Sequence, residues 1–151
     1  MSPAPTGLER FLRAQESVYD TALAELAAGR KETHWMWFIL PQLRGLGRSE
    51  RARFYGIGDL REAAAYLAHP LLGPRLVACV TAMLGHPRLP ADAILGGVDA
   101  LKFRSCLTLF SRVPAAPPVF TDALRTFYGG EPDPGTLQLL AGEPPLGRDP
   151  G

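Results

Sequence analysis

"GGVDALKFRSCLTLF", residues Gly96–Phe110, decides the fold. Phe103, Cys106, Leu107 and Phe110 recur at i, i+3, i+4 and i+7, the spacing of one helix face rather than the two-residue alternation of a strand. Gly97 or Asp99 is placed to cap that helix. The other face is chemically mixed. Asp99, Lys102 and Ser105 stand three residues apart and fan over roughly 120° of it, given ~3.6 residues per turn.

The same period extends through most of the chain. Leu8, Phe11, Leu12, Val18, Tyr19, Ala22, Leu23 and Leu26 predict one helix from about Leu8 to Ala28, with Gly29 as its stop. Asp59, with Glu62 three residues on, predicts a box-like cap ahead of "AAAYLAH". Pro74 fits a first turn, and Gly85 closes that helix. "VFTDALRTFY" ends at Gly129–Gly130, and Asp133–Pro134 opens a last helix. The expectation is an all-α chain: a single compact multihelical domain of roughly six to eight helices over residues 8–141. A disordered head, residues 1–7, and a flexible Pro/Gly-rich tail, residues 142–151, should flank it.

With 151 residues, 46% hydrophobic and 21% charged, the composition is that of one soluble globular domain. A net charge of +1 provides no field for nucleic acid or an anionic membrane. No apolar run reaches the ~18 residues of a membrane span, and "MSPAPTG" has no signal-peptide pattern. Cytoplasmic residence is expected. Cys79 and Cys106 lie in apolar helical patterns and read as buried thiols. His34, His69 and His86 form no local metal-ligand spacing, so neither a metal nor a cofactor is expected. Tyr55, Tyr66 and Tyr128 read as residues at the edge of the core.

Chemistry concentrates in two places. "KETHWMWFILPQ", Lys31–Gln42, holds both tryptophans of the chain. Thr33 is placed to cap a short helix from His34, and Pro41 to end it. A helix apolar all round should run through the middle of the domain. One reading is therefore a core helix with a satisfied histidine. The other is a pocket for a small anionic or nucleotide-like ligand between this segment and "DALKFRS". Trp35 and Trp37 would wall that pocket, and Lys31, Gln42, Arg44, Lys102 and Ser105 would bind the ligand. His34 and Asp99 are the candidate acid–base groups. The following "LRGLGRS" loop, with Ser49 as a helix cap, and the arginines Arg44, Arg48, Arg51 and Arg53 read either as an anion patch or as a solvated face. Arginine outnumbers lysine fourteen to two, and Lys31 and Lys102 fall in these two segments. A compact ammonium is not replaced by a planar guanidinium. A non-enzymatic interaction module, with both segments as core, is the alternative. Oligomeric state is not legible.

These segments, with "AQESVYDTALAEL", "EAAAYLAHPLLGPRL" and "FYGGEPDPGTLQLL", resemble a bacterial family known as domain of unknown function 1810, from about Phe11 to Leu140. The run G-x-K-x-[ST]-H-W-M-W-[FY]-I-[FL]-P-Q carries most of the resemblance. The family usually has two serines where this chain has Ser105 and Cys106. The resemblance implies a compact all-helical domain of the bacterial cytosol and no established activity. The label calpastatin often attached to the family does not suit this chain, because such inhibitors are long and disordered whereas this sequence is periodic and capped.

Overall fold

The computed structural model describes residues 7–142. The expected head and tail lie outside the described residues, apart from Gly7 and Gly142 at their edges. Among the described residues there are ten helices and no strand. They are α1 Glu9–Gln15, α2 Tyr19–Ala27, α3 Met36–Ile39, α4 Glu50–Tyr55, α5 Leu60–Ala68, α6 Leu72–Leu84, α7 Ala91–Leu95, α8 Gly97–Ser111, α9 Val119–Tyr128 and α10 Pro134–Ala141. A single parallel bridge joins Leu43 to Ile57. The chain is all-α, as its apolar period predicts. The helices beyond the expected six to eight come from α7 and from the division of the first helix.

The centre of the domain is α8. Every residue from Ser105 to Phe110 is buried, and α8 packs against α5, α7, α9 and α10. The hydroxyl of Thr108, a wholly buried residue, is satisfied twice. Thr108 Oγ1 donates to the Arg104 carbonyl at 2.8 Å and accepts the Asp133 amide at 2.9 Å. That second bond also fixes the start of α10. The prediction that α3 would run through the middle is corrected. It is a four-residue helix beside α1 and α4, with Trp37 and Phe38 half-buried.

Three side-chain caps sit where the sequence puts them. Ser49 accepts the Ala52 amide, Asp59 the Glu62 amide and Asp133 the Thr136 amide, each at about one turn's reach. Gly129 takes the left-handed conformation that ends α9, at φ +62°. Two caps are corrected. Gly96, not Gly97 or Asp99, precedes α8, and no side chain caps it. Trp35, not Thr33, precedes α3.

The expected helix from Leu8 to Ala28 is divided at Glu16–Val18. Gln15, turned inward and 1% exposed, holds the break. Its amide nitrogen donates to the Phe38 carbonyl at 2.7 Å and lies 3.0 Å from the Tyr66 hydroxyl, and its oxygen accepts from Arg75. Tyr66 is wholly buried rather than at the core edge. Cys79 and Cys106 are free, buried thiols. Burial pushes Cys79 up to about 12 and Cys106 well above the ordinary thiol value, so neither supplies a thiolate nucleophile.

Candidate functional site

The site begins with a carboxylate inside α2. Glu25 sits on the same face as Ala22 and Leu26 and is buried with them. A buried carboxylate must be paired or hydrogen-bonded. Glu25 solves this without a cation. It accepts the Glu32 amide at 2.7 Å, the Thr33 amide at 3.0 Å, the Thr33 hydroxyl at 2.6 Å and the Trp35 indole N–H at 2.9 Å. Burial alone would push its carboxyl up. The bonds from Thr33, Glu32 and Trp35 outweigh that and hold it down at about 2. They also fold residues 32–35 around one point, which removes Thr33 from the helix start and leaves α3 a single turn.

That wrapped loop aims the neighbouring lysine. The Lys31 amide donates to the Ile94 carbonyl of α7 at 2.8 Å. Its ammonium donates to the Thr33 carbonyl at 2.6 Å, lies 3.0 Å from Asp99 Oδ2 and stands 4.9 Å from the Trp35 ring centroid. With its side chain 7% exposed, Lys31 is fully engaged.

Lys102 approaches the same carboxylate from α8. Its ammonium is 3.5 Å from Asp99 Oδ1, beyond the ~2.7–3.2 Å of an N–H···O hydrogen bond. It lies 3.7 Å from the Trp37 centroid, within cation–π range. The two lysines of the chain thus share one aspartate, each against its own tryptophan. Between them opens a pocket of about 110 Å³, which His34, Met36 and Arg51 complete. The sequence-predicted residues Lys31, His34, Trp35, Trp37, Asp99 and Lys102 all line it. The charges of the described lining do not cancel: three cations, Lys31, Lys102 and Arg51, face one carboxylate, Asp99.

The remaining three candidates lie elsewhere. Arg44 donates to the Arg53 and Gly56 carbonyls and ties down the end of α4. Gln42 is buried beside the Leu43–Ile57 bridge, its carbonyl accepting the Ile57 amide at 2.9 Å. Ser105 is buried, and its hydroxyl donates to the Leu101 carbonyl one turn back. Of the arginine cluster, Arg51 alone reaches this pocket. A larger hollow of about 610 Å³ runs along α4 beside Phe54 and Tyr55. Its described lining comes from that one short helix, so no groups converge on it.

The sequence reading missed Glu25. The signal was present: a glutamate on the apolar face defined by Ala22 and Leu26 needs an explanation. Among the described residues no group of His, Cys, Asp and Glu is arranged to hold a metal ion. No single helix there is long and apolar enough to cross a membrane.

Fold and site together define a small all-helical domain with a cation-lined pocket at the start of its central helix. The chain belongs to the family described as "Protein of unknown function (DUF1810)", which matches residues 5–140. It is similar to the conserved hypothetical protein Rv1873 from Mycobacterium tuberculosis, whose crystal structure superposes with a TM-score of 0.86 at 46% identity. That match covers 93% of this chain and 100% of the other. A homoserine kinase of Carboxydothermus hydrogenoformans is 32% identical over 109 residues, covering 72% of this chain and 34% of the kinase. The chain spans about a third of that protein's length.

Proposed function

We propose that the pocket between residues 31–37 and α8 binds a small anionic group, a carboxylate or a phosphoryl group. Lys102 is the main cation, Arg51 and His34 stand at the rim, and Trp37 forms the apolar wall. The observation that carries the reading is the uneven charge around Asp99. Lys31 spends its donors on Thr33 and Asp99, whereas Lys102, 20% exposed, makes no side-chain hydrogen bond among the described residues, Asp99 Oδ1 lying 3.5 Å away. A bound anion would supply the missing acceptor and offset the surplus positive charge.

Size narrows the ligand. The pocket's volume is about 110 Å³, small enough to suit one anionic group and its immediate substituent. Drug-sized ligands ordinarily occupy ~300–1,000 Å³. A nucleotide-like ligand would place a phosphate here and its base and ribose outside. Within this reading Asp99, with an ammonium at each oxygen, serves as a counter-ion that positions Lys102. His34, exposed at the rim, is the group left to move a proton if the bound molecule reacts.

The test is a titration of the full chain with acetate, methyl phosphate and inorganic phosphate, followed by calorimetry and by thermal shift. Saturation should stabilise the fold, by ~2.7 kcal/mol at a hundredfold excess over Kd. Lys102→Ala should abolish the effect while leaving the unliganded melting temperature nearly unchanged. If no anion binds, or if binding survives Lys102→Ala, the reading is wrong.

A further inference from the structure

The pocket holds an anionic group, but the surface beside it is built for something else. Val98 is 69% exposed and Leu101 is 66% exposed, against 40–42% for the other exposed large apolar side chains among the described residues. Both lie in the first turns of α8, next to the pocket residues Asp99 and Lys102. At ~100° per residue, Val98 lies about 40° around the helix from Lys102, on the side away from Asp99, and Leu101 lies a further 60° round. Val98 is also one turn before Lys102, so their Cβ atoms are ~5–6 Å apart. Gly96 and Gly97 leave open space at the start of the helix, with nothing within 4 Å of where a Cβ would stand. The result is an uncovered strip running from the pocket mouth across Val98 to Leu101.

Single exposed apolar residues are common and need no account. Here the two most exposed are a pair at i, i+3, contiguous with Lys102, whose ammonium stands 3.5 Å from Asp99, short of a hydrogen bond. Charge and apolarity are then arranged for one molecule. We infer that the ligand is an amphiphilic small acid: a single carboxylate or phosphomonoester head held by Lys102, carrying an aliphatic body that lies along Val98 and Leu101. This rests on the proposed anion site and names the class of molecule it takes. The surplus of cations over carboxylates at the pocket sets the direction of binding, head inward and body along the helix surface.

The experiment is a chain-length series on the full protein, using acetate, butanoate and hexanoate with the matching methyl, butyl and hexyl phosphates. Calorimetry reads the affinity, and the fluorescence of the two pocket tryptophans, Trp35 and Trp37, gives a second reading. In the wild type, affinity should rise roughly two- to fourfold per added methylene while the chain covers the strip. In Val98→Ser/Leu101→Ser, two exposed positions whose replacement spares the core, the short acids should bind as before and the chain-length gain should vanish. The tighter-binding series at matched chain length identifies the head group as carboxylate or phosphate. Short acids that bind without any gain on lengthening would overturn the amphiphile inference and leave the anion site standing. A gain that persists unchanged in the double variant would overturn it equally. Failure of every acid to bind would remove both.

Discussion

Glu25 is the residue on which the site's geometry depends. Four donors from residues 32–35 meet its two oxygens, and no cation shares the burial. Its folded-state value near 2 lies below the ordinary 4.5. The stability it contributes is therefore complete above about pH 4.5 and is lost as pH falls through about 2. Urea unfolding at pH 6, 4 and 3 should show this loss in the wild type and a flatter profile in Glu25→Gln. The variant should be less stable at pH 6 by about 2 kcal/mol, since its NH2 group faces donors. Equal pH profiles would mean that the loop is held by something else. Lys31 gives a second prediction at this scale. Its ammonium meets the Thr33 carbonyl and Asp99 as a compact point donor at 2.6 and 3.0 Å, a geometry the longer, planar guanidinium does not reproduce, so Lys31→Arg should cost ~1–3 kcal/mol despite keeping the charge. Lysine at 31 and 102 in an arginine-using chain was a legible sign of this pocket. Glu25 was legible only as an anomaly, a carboxylate on an apolar face, because its partners are backbone amides that no sequence pattern marks.

At the scale of elements, caps were readable and breaks were not. Ser49, Asp59 and Asp133 act through local bonds to amides three residues on, so their identity and position suffice. The division between α1 and α2 depends on Gln15 finding Phe38, Tyr66 and Arg75, all distant in sequence. Its trace was the gap in the apolar period between Leu12 and Val18, where Gln15 and Glu16 stand. The junction of α5 and α6 has a similarly nonlocal demand. The two helices meet at 90°, and a Cβ on Gly73 would lie 2.1 Å from the Leu67 carbonyl oxygen. Backbone, not a pliable side chain, is the obstacle. Gly73→Ala should therefore destabilise the fold by about 1–3 kcal/mol, although alanine is the better helix former. Gly97→Ala is the control, because nothing stands within 4 Å of its Cβ position. A melting temperature lowered equally by both changes would contradict the argument.

For the whole molecule, apolar periodicity determined the class, while the choice of central helix did not follow from it. Both α3 and α8 are rich in large apolar residues. Length decides between them: fifteen residues of α8 present faces to several neighbours at once, whereas the loop tied to Glu25 and the stop at Pro41 leave α3 four. The surrounding helices still need fastening, and one arginine joins three of them. Arg10 of α1, 4% exposed, donates to the Phe54 carbonyl at the end of α4, to the Gly56 carbonyl beyond it and to Glu62 of α5 at 2.8 Å. Burial would push the Glu62 carboxyl up, but the bond from Arg10 and the Gly58 amide hold it below its ordinary value. Removing the arginine takes away the one cation bonded to Glu62 among the described residues, and that carboxylate keeps the Gly58 amide. It also takes a donor from the Phe54 and Gly56 carbonyls, of which Gly56 keeps Arg44. Arg10→Ala should then cost about 3–5 kcal/mol, far more than Arg13→Ala in the exposed pair with Glu9. If Arg10 fastens α1 to the whole domain, chemical denaturation should stay a single transition with an unchanged slope and a lower midpoint. If it fastens only a local flap, hydrogen exchange should rise in α1 and α4 while protection in α8 stays at the wild-type level.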